Sequence, residues 1–203
     1  MGSKFTLIFK DAVAVIVAGG KSSRMQRDKA LLPFGNYPSL AEYQYKRLSK
    51  LFSKVYISAK ENKFDFEVDI IKDVNKISSP LVALVSIFGT LDIDEVFVLS
   101  VDAPFVGEEL MAKLYVSTSI DADVIVAESQ QGLEPLCAIY RRSFLKQAIK
   151  ALAQDNHRLQ SLFNELKVQK VLIEDEKFFM NLNYPKEYEE AKKQVRKLER
   201  REN

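Results

Sequence analysis

Between positions 19 and 29 the chain reads Gly-Gly-Lys-Ser-Ser-Arg-Met-Gln-Arg-Asp-Lys, a glycine pair and two hydroxyls followed by Arg24, Arg27 and Lys29. Glycines let backbone N–H groups come close to an anion and converge on it. Arginine offers forked donors to phosphate oxygens, and lysine adds a mobile point charge. Together they suit a nucleoside triphosphate whose charge moves during reaction. Two common phosphate loops are excluded. A Walker A loop needs glycine where Val15 stands, and the dinucleotide fingerprint needs glycine where Lys21 stands. The competing reading is a basic, solvated loop in which Ser22 caps the next turn.

An acidic counterpart lies in Val-Leu-Ser-Val-Asp-Ala-Pro-Phe, where Asp102 follows the apolar run Val96–Leu99. A carboxylate at the end of a buried strand is a good magnesium ligand, because magnesium takes one or two carboxylates together with phosphate oxygens and water. The alternative is a turn cap, since Asp-x-Pro favours turns. Farther on, Asn181 and Asn183 are spaced two apart in Asn-Leu-Asn-Tyr-Pro-Lys-Glu. On an extended segment both amides point one way, toward one phosphate or a metal-bound water. Alternatively, Asn183 caps the helix begun by Pro185. His157 is the only histidine and sits in what reads as a helix-start loop, so no His-dependent nucleophile is expected. The single cysteine, Cys137, reads as a small core residue and permits no intrachain disulfide, which fits a cytoplasmic location.

These residues need a scaffold. Short β-branched runs alternate with helical patterns. Strands are expected at Ala12–Val17, Val55–Ser58, Asp69–Lys72, Val96–Leu99, Asp123–Ala127, Leu136–Tyr140 and Lys167–Ile173. Helices are expected at Ser39–Phe52, from Ser79-Pro80 onward, and at Glu108–Ser117, Ser143–Gln154 and Arg158–Leu166. A charged helix over about 185–203 carries a thin stripe of Tyr188, Ala191, Val195 and Leu198, which lies on the body or meets a partner. Such alternation predicts an α/β fold, a three-layer α/β/α sandwich on a mostly parallel sheet, as one domain over 1–203. Ligands then bind beyond the carboxyl ends of the strands, which places the loops at 18–29 and 100–105 on one edge. A net charge of only +2 argues against a nucleic-acid surface, and no apolar run approaches a membrane span.

The glycine turn also carries a likeness. Ala-Gly-Gly-Lys-Ser-Ser-Arg-Met followed by Asp-Lys resembles the signature Leu-Ala-Gly-Gly-x-Ser-x-Arg-Met-Gly-x-Asp-Lys of molybdenum cofactor guanylyltransferases, with Val17 for leucine and Gln26 for the third glycine. The resemblance continues through Asp-x-Pro-Phe at Asp102 and Asn-x-Asn-x-Pro-x-Glu at Asn181. It implies a Rossmann-like nucleotidyltransferase (glycosyltransferase-A-like) fold. It implies GTP and molybdopterin as substrates, with transfer of GMP to the molybdopterin phosphate. It further implies Mg2+ on Asp102, with nucleotide contacts from Val17, Ala18, Gly19, Gly20, Lys29, Lys60, Asp73 and Asp102. Arg24 and Lys29 would draw charge off the departing pyrophosphate, and Asn181 and Asn183 would steer the acceptor. Molybdoenzymes or other cofactor-biosynthesis proteins are the expected further partners. The family's Gly-Pro-Leu-x-Gly becomes Ser-Pro-Leu-Val-Ala, with Ser79 and Ala83 replacing both glycines, and Glu134 stands where relatives often have histidine. Lys60 stands where some relatives have a guanine-contacting Asn. CTP, another phosphorylated acceptor, or a non-catalytic molybdopterin carrier therefore stay open at this point.

Overall fold

A computed structural model describes residues 6–19, 28–74, 77, 79–182 and 184–202. After a short helix α1 (Thr6–Phe9), the order is β1 (Val13–Val17), α2 (Leu40–Leu48), β2 (Lys54–Ala59), β3 (Ile70–Lys72), α3 (Pro80–Thr90) and β4 (Glu95–Ser100). There follow α4 (Glu108–Val116), β5 (Val124–Ser129), β6 (Gly132–Arg141), α5 (Leu145–Ala153), α6 (Leu159–Leu162), β7 (Val168–Leu172) and α7 (Pro185–Glu202). The described strands form one sheet in the order β3-β2-β1-β4-β6-β5-β7. All pairings are parallel except those of β6, which runs against both β4 and β5.

Strand β1 shows why three layers form. All five of its residues are apolar, so neither face can be left to water. Ala14 and Ile16 join a core with Leu40 and Leu48 of α2, Leu110 and Met111 of α4, and Tyr188 and Ala191 of α7. Val15 and Val17 point the other way, to Leu84 and Ile87 of α3, Ala148 of α5 and Leu162 of α6. The period-two alternation repeats on β4, with Phe97 and Leu99 on the first face and Val96 and Val98 on the second.

Helix ends follow the expected chemistry. Ser39 Oγ accepts from Glu42 N at 3.1 Å, and Ser79 Oγ accepts from Val82 N at 3.2 Å with Pro80 at the first position. The charged α7 lies on the body, burying Tyr188, Ala191 and Val195 while the Tyr188 hydroxyl donates to the Pro33 carbonyl. None of the described helices is long and apolar enough to cross a membrane.

Three elements differ from the sequence reading by more than two residues at a boundary. The helix expected to Phe52 ends at Leu48, yet Leu51 and Phe52 still bury from the following turn. The helix expected over Arg158–Leu166 shortens to α6 plus a 3-10 turn at Phe163–Glu165. Strand β6 begins four residues before the expected Leu136, because Glu134 and Pro135 hide its start from a search for apolar alternation.

Candidate active site at the carboxyl edge of the sheet

Strands β1 and β4 are parallel neighbours with Val17 level with Ser100, so the segments leaving them emerge side by side. Backbone bonds continue the ladder past the strand ends: Val101 N donates to Val17 O at 3.0 Å, and Ala18 N to Ser58 O at 2.9 Å. The start of the glycine turn is thereby fixed, with Ala18 buried and Gly19 exposed. Gly20 and Arg24 lie outside the described residues.

At Asp28 the chain is tied back to this edge. Asp28 Oδ1 caps the 3-10 turn Lys29–Leu31 by accepting from Ala30 N at 3.0 Å, and Oδ2 pairs with Lys63. Lys63 Nζ also lies 3.4 Å from the Ala18 carbonyl, so one lysine spans both ends of the basic segment. The sequence offered no sign of Lys63, which stands apart from every motif.

Lys29 Nζ then reaches Asp102 Oδ2 at 3.1 Å, both side chains being largely shielded at 14% and 22% exposure. Ser100 Oγ donates to the other carboxylate oxygen at 2.5 Å. Two expected site residues 73 positions apart in sequence therefore touch. Leu182 N donates to the Asp102 carbonyl at 3.1 Å, which brings Asn181 onto the wall of the same cavity as Asp102. Asn183 lies outside the described residues.

The loop that carries Asp102 is braced from below. Gln44, fully buried on α2, aims its amide at the carbonyls of Ser100, Val101 and Ala103 at 3.4, 3.4 and 3.1 Å. Arg47, one helical turn on, donates to the Val106 carbonyl and to Gln44 Oε1, the latter at 2.6 Å. Burial pushes the Arg47 guanidinium down from its ordinary range, with Tyr43 offsetting part of this.

Beyond β2, Ser58 Oγ donates to Asp73 Oδ1 at 3.4 Å, and Asp73 N bonds to the Ala59 carbonyl. Burial pushes the Asp73 carboxyl up, while the Ser58 hydroxyl and the nearby Lys60 charge pull it back. Lys60 and Asp73 thus lie just past the carboxyl ends of β2 and β3, on the side of β1 away from β4.

Across β4, a cavity of about 440 Å³ opens, its wall including Asp102, Glu134, Leu136, His157, Phe179 and Asn181. His157 Nδ1 lies 2.9 Å from Ser79 Oγ and its Nε2 lies 3.2 Å from Asp155. The line Ser–His–Asp is not a nucleophile. Ser79 Oγ is already committed as the cap of α3, and Asp155 is 88% exposed. The contact instead ties α3 to the loop before α6. Cys137 is buried, and burial pushes its thiol well above the ordinary range.

The donor set suits a hard divalent cation. Among the described residues no group of three or more His, Cys, Asp or Glu could form an all-protein cage. Asp102, with the Asn181 amide on the same wall, offers the sparse oxygen ligation that magnesium accepts when phosphates supply the rest.

Residues 14–171 match the MobA-like NTP transferase domain. The chain belongs to that family. It is 39% identical over 184 residues to the molybdenum cofactor guanylyltransferase of Campylobacter jejuni, covering 90% of this chain and 96% of the relative. It is 34% identical over 192 residues to the enzyme of the same name from Helicobacter pylori, covering 91% and 93%. Among solved structures, molybdopterin-guanine dinucleotide biosynthesis protein A of Archaeoglobus fulgidus superposes with a TM-score of 0.78 at 18% identity, covering 91% of this chain and 99% of that one. The same fold recurs in CMP:2-keto-3-deoxy-manno-octonic acid synthetase, with a TM-score of 0.70 at 16% identity over 95% and 100% of the two chains. Family membership makes the protein a nucleotidyltransferase.

Proposed function

We propose that this protein transfers GMP from GTP to the terminal phosphate of molybdopterin, releasing pyrophosphate, as a single nucleotidyltransferase domain. The observation that carries the reading is the Lys29–Asp102 contact beside the glycine turn, in a chain whose relatives bear the guanylyltransferase name. An acceptor phosphate oxygen attacks the α-phosphorus, the bond to the β-phosphate breaks, and pyrophosphate leaves with the electron pair. The acceptor is already ionised, so no strong general base is required, and rate comes from alignment and charge neutralisation.

In this reading the backbone at Val17, Ala18, Gly19 and Gly20 holds the nucleotide, with Gly20 assigned from sequence. Lys29 turns from Asp102 to the triphosphate and, with Arg24, draws charge off the leaving group. Lys60 and Asp73 face the nucleoside, where a lysine amine suits the O6 and N7 acceptors of guanine. Asn181 and Asn183 steer the acceptor. Mg2+, when bound by Asp102 with the Asn181 amide near, supplies a Lewis acid that neutralises phosphate charge. A carrier without catalysis would have no use for a shielded lysine–carboxylate pair at a phosphate-binding turn. The reaction belongs to the cytoplasm, and its product goes to molybdoenzymes or other cofactor-biosynthesis proteins.

The test is product analysis after incubating the protein with molybdopterin, magnesium and a mixture of GTP, CTP, ATP and UTP. The expected product is the guanine dinucleotide with one pyrophosphate released per turnover. A cytosine dinucleotide, or no pyrophosphate, would overturn the reading.

A further inference from the structure

Strand β6 carries an irregularity aimed at the cavity. The β5–β6 ladder pairs Val126 with Ala138 and then Ala127 with Glu134, so Pro135, Leu136 and Cys137 are extra residues with no place opposite β5. Bulges of this kind bend a strand and re-aim a side chain, and they collect next to active sites. Here the excursion is pinned at both ends. The Tyr140 hydroxyl donates to the Pro135 carbonyl at 2.8 Å, and the Ser129 hydroxyl lies 3.1 Å from Glu134 Oε1. The result is Glu134 on the cavity wall, with Leu136, Pro80 and Phe179 supplying apolar surface around it. No hydrogen bond from another described residue reaches Glu134 Oε2.

A half-buried carboxylate among apolar walls calls for a ligand that brings donors. Burial pushes the Glu134 carboxyl up, the neighbouring carboxylates of Glu176 and Asp102 add to this, and the Ser129 hydroxyl offsets part of it. A flat heterocycle with a ring N–H beside an exocyclic amino group presents two parallel donors, the arrangement a carboxylate accepts with both oxygens. A pterin carries that edge. Guanine carries it too, but Lys60, Asp73 and the glycine turn lie across β4 on the β1–β3 half of the sheet.

We infer that Glu134 reads the 2-amino pyrimidine edge of the acceptor's pterin, on the cavity whose other wall holds Asp102 and Asn181 for the acceptor's phosphate. This rests on the transferase reading for the identity of the acceptor, but not for the chemistry of the edge. It makes Glu134 a specificity-determining residue.

The exchange Glu134→Gln gives a test that goes beyond loss of activity. An amide offers one acceptor and one donor, which mismatches a pterin edge but matches a lumazine, whose 2-position is oxo. Binding of 6-hydroxymethylpterin and 6-hydroxymethyllumazine is measured on the intact wild-type and variant proteins, with KM for GTP and for molybdopterin alongside. Wild type is expected to favour the pterin by about tenfold or more and the variant to favour the lumazine, the KM for molybdopterin rising about tenfold while that for GTP holds. The same pterin-to-lumazine ratio in both proteins, failure of the pterin to bind wild type at millimolar concentration, or a rise in the KM for GTP alone would each overturn it. If wild type makes no dinucleotide, the transferase reading fails, yet the ligand ratio still reports on Glu134.

Discussion

The side-chain amide of Gln44 donates to the carbonyl oxygen of Ala103 across 3.1 Å of fully buried space. The same amide faces the carbonyls of Ser100 and Val101, and its oxygen holds Arg47, so one helix residue organises the whole segment around Asp102. Gln44→Leu fills the space but satisfies none of these groups, and each buried polar group left alone costs about 1–3 kcal/mol. We expect a loss of stability in that range by urea denaturation. We also expect kcat to fall while KM for GTP holds, because the Asp102 segment shifts and the glycine turn does not.

Lys29→Ala and Asp102→Ala are each expected to lower kcat at least about 100-fold, the scale for losing one preorganised charge. Steady-state pyrophosphate release decides it. Near-normal turnover in either variant would remove the pair from the mechanism.

Asp73 gives a pH dependence with a definite sign. Burial raises its carboxyl above the ordinary aspartate range, so between that range and the raised value the folded protein holds more protons than the unfolded chain. Stability contributed by this group is therefore lost as pH rises through that window. Asp73→Asn should unfold at higher urea than wild type at pH 7, and the advantage should vanish below the ordinary aspartate range. Nucleotide affinity should weaken in the same variant, a trade of function for stability.

His157→Ala should leave kcat within about tenfold, since its partner Ser79 serves as a helix cap. Ser79→Ala should cost about 1 kcal/mol of stability, and Ser79→Gly only a few tenths. A much larger loss of turnover in the alanine variants would revive a nucleophilic role for this pair.

What could be read beforehand was whatever is local in the chain. The all-apolar β1, the Ser79-Pro80 helix start and the polar residues just beyond β1 and β4 announce themselves within a few positions. What stayed hidden is long-range. Gln44 interrupts the stripe of Leu40, Tyr43 and Leu48 and would pass for a solvent-facing residue, yet its partners lie 56–59 positions away. Lys63 was invisible for the same reason, with its partner Asp28 35 positions off. The bulge in β6 escaped because proline and glutamate break the alternation that marks a strand. Of the site residues, Lys29, Asp102 and Asn181 meet at one edge and Lys60 and Asp73 flank it.

The reversed direction of β6 has its own consequence. The other six described strands present their ends at the reactive edge, while β6 presents its beginning, where the hairpin from β5 turns at Gln130 and Gln131. Insertions or exchanges in that hairpin can reshape the compartment for one reactant and leave the strands that hold the other untouched. A scaffold wired in this way can change what it modifies without relearning how to hold a nucleotide.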